Sequence, residues 1–175
     1  MEKMLTGKRI VVLAEDLYED LELWYPVLRL REEGATVTIA GTGPESYRGK
    51  HGYPVTADIA VDRISSMDFD AVIIPGGYAP DRLRRSAAAV RLVREVFEQA
   101  KVVAAICHAA WMPISAGIVK GKRMTCFFSI KDDVVNAGAE YVDREVVRDG
   151  NLITSRGPDD LGAFCREIIH CVAGR

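Results

Sequence analysis

Cysteine is sparse in this chain: there are four, at 107, 126, 165 and 171, and no C-x-x-C pair. Histidine is sparser, with only residues 51, 108 and 170. That combination offers no zinc-ligand spacing, and no metal or other cofactor is expected. Positive charge is not in excess either. The 23 Lys and Arg residues are outnumbered by 25 Asp and Glu, for a net charge of -2. A nucleic-acid partner held through phosphates is therefore not expected. Aromatic residues make up 7%. No apolar run approaches the roughly 18 residues of a membrane span. The first residues, Met1 to Gly7, read as too short and too polar for a signal peptide. These absences lead to the expectation of a cytoplasmic protein whose cysteines are free thiols, with Cys165 and Cys171 as small apolar or incidental residues.

What is present is ordinary globular composition, 49% hydrophobic and 27% charged over 175 residues. This length suits one domain. The segments alternate in type. Strands are expected at Lys8–Ala14, Thr36–Ala40, Asp70–Ile74 and Lys101–Ile106, each a short apolar run suited to burial on both faces. Helices are expected at Asp20–Glu33, Ala87–Gln99, Ala109–Ala116, Ser129–Ala137 and Pro158–Val172. Pro26 falls inside the first of these and predicts a kink or a later start. The Gly- and Ser-containing stretch Gly41–Gly52 reads as loop, and Val55–Val61 as short strands. Val142–Val147 and Leu152–Ser155 flank Asp149-Gly150, a hairpin turn signal. The short basic run Arg82, Arg84, Arg85 reads as a solvated helix start. Strands separated by helices predict an α/β fold with a mostly parallel sheet covered on both faces. Sites in such sheets form beyond the carboxyl ends of the strands. That rule selects the loops 15–19, 76–81 and 107–110.

Cys107 ends one strand and a helix begins almost at once, as at a nucleophile elbow, although G-x-S-x-G is absent. The helix start is expected to favour thiolate and to bring the pKa below the ordinary value of about 8.5. A buried structural thiol is the competing reading. His108 follows directly and suits a general base, or simply a capping histidine. Gly76-Gly77 ends the neighbouring strand and offers amides for an oxyanion, or a plain turn. Five acids, Glu15, Asp16, Glu19, Asp20 and Glu22, crowd the first loop. One of them could project toward Cys107 and stay protonated in a partly dry pocket. The residue types alone do not choose among them.

Six motifs in this order and spacing resemble the ThiJ/PfpI family, of the class I glutamine amidotransferase-like fold. They are E-D-L-E-L-W-Y-P at 19–26, G-K-H-G-Y at 49–53, D-A-V-I-I-P-G-G-Y-A-P-D at 70–81, A-I-C-H-A-A-W at 105–111, S-I-K-D-D-V-V-N-A-G-A at 129–139 and T-S-R-G-P-D-D-L at 154–161. The resemblance covers nearly the whole chain and is closest to PfpI-type intracellular peptidases and deglycases. It implies a three-layer α/β/α sandwich of flavodoxin-like type, as one domain over 1–175. It implies that Cys107 is the reactive cysteine, that Glu19 is the glutamate beside its sulfur, and that His108 is the histidine after the nucleophile. It implies that Asp81 occupies an acidic position that reaches the histidine of a neighbouring subunit. Gly76 and Gly77 match the oxyanion-binding backbone, and Ala109 and Trp111 join them around the substrate. The chain departs from the family at C-H-A-A-W, where many members read C-H-G-P, so Trp111 is expected to narrow the pocket. It departs again at Phe127-Phe128, where a tyrosine hydroxyl of some members is missing.

The function implied is a cysteine-dependent glyoxalase or deglycase acting on methylglyoxal, glyoxal or glycated proteins and nucleotides, with intracellular peptidase activity as a related capacity. The alternative is a redox-sensing stress protein or chaperone with little turnover. A homo-oligomer, dimer or hexamer, with the site near an interface is implied, with no membrane partner.

Overall fold

The computed structural model describes residues 3–174. In chain order the strands are β1 (Arg9–Ala14), β2 (Thr36–Gly41), β3 (Ser46–Arg48), β4 (Pro54–Thr56), β5 (Ile59–Ala60), β6 (Ala71–Ile74), β7 (Val102–Ile106), β8 (Arg123–Met124), β9 (Glu140–Tyr141), β10 (Val146–Asp149) and β11 (Leu152–Ser155). The α-helices are α1 (Asp20–Glu32), α2 (Ala79–Leu83), α3 (Ala87–Glu98), α4 (Trp111–Ala116), α5 (Lys131–Asn136) and α6 (Leu161–Val172).

Seven strands form the central sheet, in the order β10-β11-β7-β6-β1-β2-β5. All neighbours are parallel except β10, which runs antiparallel at one edge. The runs Ile10–Ala14, Ala71–Ile74 and Val103–Ile106 are almost wholly buried, because helices cover both faces. Helix α1 packs beside α6 and helix α3 beside α4, giving the three-layer α/β/α arrangement. From β1 the chain steps outward to β2. It later returns to β6 on the other side of β1 and proceeds through β7. The order therefore reverses between β1 and β6, and a crevice opens there at the carboxyl ends.

Four local expectations are corrected. Helix α1 begins at Asp20 and runs unbroken through Pro26, whose ring is buried. The missing N–H costs one bond to the Glu22 carbonyl, and core burial of Leu23, Val27 and Leu30 on the same side outweighs it. The stretch 41–52 is not all loop: Ser46–Arg48 pairs antiparallel with Pro54–Thr56. The edge strand β10 starts at Val146 rather than Val142. The hairpin turn itself is Gly150-Asn151, because Asp149 pairs with Leu152; Gly150, at φ +64°, supplies the left-handed residue.

Candidate active site

Cys107 is the first residue of a 3-10 turn, Cys107–Ala110, that joins β7 to α4. Its φ is +63°, a strained angle for a residue with a side chain. The strain turns the thiol off the strand axis and into the crevice at the end of β6. Gly76 makes room for it. A Cβ there would lie 2.7 Å from the Cys107 Cβ, 2.5 Å from Glu22 Oε2 and 3.0 Å from the Ile106 carbonyl. No other residue fits without displacing one of these three.

The acid beside the sulfur is Glu22, which corrects the expectation for Glu19. Glu22 is fully buried, on the inward stripe of α1 with Leu23, Pro26, Val27 and Leu30. Its Oε2 accepts the Gly76 N–H at 2.8 Å. Its Oε1 is buried with no hydrogen-bond partner, and the carboxyl interacts with the Cys107 thiol. Burial, above all, pushes the carboxyl up to about 8, against the Gly76 amide, which favours the charged form. At neutral pH Glu22 is therefore a neutral acid.

Glu19 stands one turn earlier as the helix N-cap. Its carboxylate accepts the Leu21 N–H at 3.3 Å, and its N–H donates to the Gly76 carbonyl at 3.1 Å. Lys50 Nζ pairs with Glu19 Oε2 at 2.8 Å, and His51 Nε2 lies 3.5 Å away. A capping carboxylate is tied to the first turn of its own helix, so it cannot also reach the sulfur. The loop that carries Lys50 is pinned in turn by Asp20, whose carboxylate accepts the His51 and Tyr53 N–H groups at 3.0 and 2.9 Å.

The thiol pKa is raised, not lowered. Burial, and next the Glu22 carboxylate, push it up to about 12. The amides of His108 and Gly77 point at the sulfur and oppose the shift. The expected helix effect is too small to reverse it. A helix terminus contributes about 0.3–1 kcal/mol, less than one pKa unit at about 1.4 kcal/mol each. Here the sulfur precedes only a four-residue turn and a six-residue helix.

His108 meets the sulfur directly, with Nδ1 3.2 Å from Sγ. Its ring is stacked on Phe127, centroids 5.0 Å apart, and Trp111 meets it edge-on at 5.4 Å. Trp111 is held by its own indole N–H, which donates to Asp133 Oδ2 at 2.8 Å, and by the Arg84 guanidinium over its ring. Trp111 thus walls the site through His108. Burial first, and the Lys50 charge second, lower the imidazole pKa below the ordinary 6.5.

The two glycines have different parts. The Gly76 N–H is occupied by Glu22, so it does not face an oxyanion, and its service is steric. Gly77, at φ +76°, turns the chain so that its amide faces the sulfur, together with that of His108. These two amides can hold a developing oxyanion. Ala109 is fully buried behind the turn, so its side chain does not line the crevice. Asp81 is half exposed on α2 and pairs with Arg85 of its own chain. Sequence reasoning singled out neither Lys50 nor Ser129, and it left Glu22 as one of five candidate acids until the resemblance pointed to Glu19 instead. The signal for Glu22 was a carboxylate in phase with the apolar positions 23, 26, 27 and 30.

All four cysteines are free. Among the described residues no cluster could hold a metal, and no helix is long and apolar enough to cross a membrane.

A family model described as the DJ-1/PfpI family matches residues 8–171. The chain is 50% identical over 161 residues to an uncharacterized protein of Archaeoglobus fulgidus, covering 92% of this chain and 96% of the relative. It is 46% identical to the Deglycase PfpI of Pyrococcus furiosus, over 92% of this chain and 97% of that one. It is 41% identical to Protein/nucleic acid deglycase 2 of Escherichia coli, over 93% and 96%. Among solved structures, the Drosophila melanogaster DJ-1beta superposes with a TM-score of 0.91 at 32% identity, over 97% of this chain and 92% of that one.

Proposed function

The chain belongs to the DJ-1/PfpI family, and on that premise we propose that it is a cysteine-dependent enzyme of the glyoxalase and deglycase type, acting on small α-oxoaldehydes and on the adducts they form with proteins and nucleotides. The observation that carries this reading is the contact between Cys107 Sγ and His108 Nδ1 at 3.2 Å, at a sulfur that two backbone amides also face. Relatives at 45–46% identity are named deglycases, and one at 42% is named a putative cysteine protease. Cys107 is only 7% exposed. A carbonyl at the end of a small or slender group reaches such a sulfur more readily than the backbone of a folded polypeptide.

The chemistry follows from the protonation states. At neutral pH the sulfur is a thiol, Glu22 is a neutral acid and His108 is a neutral base. As Sγ bonds to the aldehyde carbon, the thiol proton passes to His108 Nδ1 and the carbonyl electrons move onto oxygen. The Gly77 and His108 amides receive that oxygen. Neutral Glu22 adds no repulsion to the oxyanion and keeps the sulfur aimed. The adduct is a thiohemiacetal; moving the hydrogen of the former aldehyde carbon to the neighbouring carbonyl carbon, with His108 carrying the proton, gives the thioester of a 2-hydroxy acid, and water releases the acid and returns the thiol its proton. Methylglyoxal, glycated amino acids and denatured casein, offered to wild type and to Cys107→Ala, test this. Loss of aldehyde and adduct turnover in the variant is the expected result; methylglyoxal turnover that survives it removes Cys107 from the mechanism.

A second reading is favoured by one observation, the buried Glu22 carboxyl that interacts with the Cys107 thiol and has one oxygen without a hydrogen-bond partner. A protonated carboxyl there can donate to an oxygen of a cysteine sulfinate, which suits a redox sensor. Mass spectrometry after mild peroxide separates the cases: a sensor requires Cys107 to oxidise ahead of Cys126 and Cys165.

Two further points belong to the same reading. We place the protein in the cytoplasm, where its four thiols stay reduced; fractionation of cells tests it. The protein is also proposed to act as a homo-oligomer, because Leu21, Tyr25 and Leu28 stand exposed a turn apart on α1. A second copy would cover that face, and the Asp81–Arg85 segment is the other candidate contact. Sedimentation equilibrium with Leu28→Glu checks the first surface.

A further inference from the structure

We propose that Ser129 is the positioning residue for His108, and that it sets the imidazole tautomer within one chain. The inference rests on the reading of His108 as the base that takes the Cys107 proton.

The ring has two edges that can bond. Nδ1 faces Cys107 Sγ at 3.2 Å, and Nε2 faces Ser129 Oγ at 3.2 Å. Phe127 stacks on the ring and Trp111 meets it edge-on. The backbone behind it is closed as well, since the Phe127 N–H donates to the Cys107 carbonyl at 3.3 Å and Ile130 N–H to the Phe127 carbonyl at 3.1 Å. Ser129 therefore stands at a fixed place in the 3-10 turn Phe128–Ile130, across the ring from the sulfur.

A neutral imidazole carries one N–H. To take a proton from the thiol, Nδ1 must be the bare nitrogen, so the hydrogen must sit on Nε2 and needs an acceptor. The Ser129 hydroxyl is the acceptor in line with it. The Cys107 thiol, as donor to Nδ1, favours the same form, and Ser129 is the side chain that fixes it from the Nε2 edge. The Nδ1–H form points its hydrogen at the sulfur and cannot act as base. A hydroxyl differs from a carboxylate in this role. It selects the tautomer without adding negative charge, so the ring stays neutral. The charged groups around the ring are consistent with that: Lys50 lies on the crevice side, and Asp133 is occupied by the Trp111 indole. Asp81, on α2, is paired with Arg85 and does not touch the ring of its own chain.

The test uses nitrogen-15 NMR of the His108 ring together with steady-state kinetics on methylglyoxal, for wild type, Ser129→Ala and Ser129→Thr. The expected result is an Nε2–H imidazole in wild type and a mixed or Nδ1–H ring in Ser129→Ala. A neutral hydrogen bond of ordinary net strength makes the loss in kcat roughly 3- to 10-fold, with KM little changed. Threonine, which keeps the hydroxyl, restores both signals. An unchanged tautomer in Ser129→Ala overturns the proposal. So does a mixed ring in Asp81→Asn with an intact one in Ser129→Ala, since the orienting group would then come from a neighbouring subunit. The NMR reading stands whether or not Cys107→Ala abolishes turnover, so failure of the enzyme reading and failure of this one are told apart.

Discussion

The carboxyl of Glu22 accepts the Gly76 amide at 2.8 Å and interacts with the Cys107 thiol. One side chain thereby joins three segments: the first helix, the end of β6 and the turn after β7. Charge on Glu22 opposes charge on the sulfur, and each group reports the state of the other.

The first consequence concerns reactivity. The Glu22 carboxylate is the second cause, after burial, that raises the Cys107 thiol. Glu22→Gln keeps an oxygen to accept the Gly76 amide but removes the charge. The thiol pKa of the variant is expected to fall relative to wild type, so alkylation of Cys107 by iodoacetamide should begin at lower pH. A pH profile of the alkylation rate measures it. A profile that stays in place, or moves up, contradicts the assigned contact.

The second concerns stability. Glu22 has a folded pKa of about 8, above the ordinary carboxyl value of 4.5. The folded state keeps a proton that the unfolded state loses. The contribution is fully present below about pH 4.5 and is lost as pH rises through 8. At about 1.4 kcal/mol per unit, the loss is at most on the order of 5 kcal/mol. Urea unfolding between pH 5 and pH 9 should show wild type weakening across the window and Glu22→Gln weakening less. Parallel curves for the two proteins would remove Glu22 as the source.

The third concerns Gly76. Alanine there meets Glu22 Oε2, the Cys107 Cβ and a backbone carbonyl, all at 3.0 Å or less. The carboxyl can shift, but the carbonyl cannot. Gly76→Ala should cost about 1–3 kcal/mol, the usual range for overpacking. It should also move the thiol, and activity should fall by more than the stability loss explains. Thermal unfolding and methylglyoxal turnover, measured on the folded fraction, separate the two effects.

Much of the frame was legible in the sequence, because β1, β6 and β7 are continuous apolar runs that only a sheet buried on both faces can use. The strand-to-helix turn at Cys107 was legible for the same reason. The small pairs were not: β8 and β9 have two residues each, too few to show a period. Choosing between Glu19 and Glu22 required the phase of α1. Two glutamates three residues apart at a helix start can each cap or point inward, and only docking of Leu23, Val27 and Leu30 on the sheet decides which does which. The His108–Ser129 contact joins residues 21 apart across a turn, and no local pattern announces it. The pKa of Cys107 was misjudged because burial, unlike a helix start, leaves no mark on the neighbouring residues.

The last prediction follows from Lys50. Its ammonium, held at 2.8 Å by Glu19, is the second cause, after burial, that keeps the His108 pKa below 6.5. Protonated His108 cannot take the thiol proton, so the rate falls as pH drops through that lowered value. A cation nearby disfavours a second positive charge on the ring. Replacing Lys50 by Met removes it, and the His108 pKa rises toward its ordinary value. The acid limb of kcat/KM for methylglyoxal should therefore move to higher pH in Lys50→Met, by a few tenths of a unit for a partly solvated pair. High salt should move the wild-type limb in the same direction and the variant limb less. A limb that moves down on losing Lys50 would mean that the ammonium acts through the sulfur or the substrate and not through the imidazole.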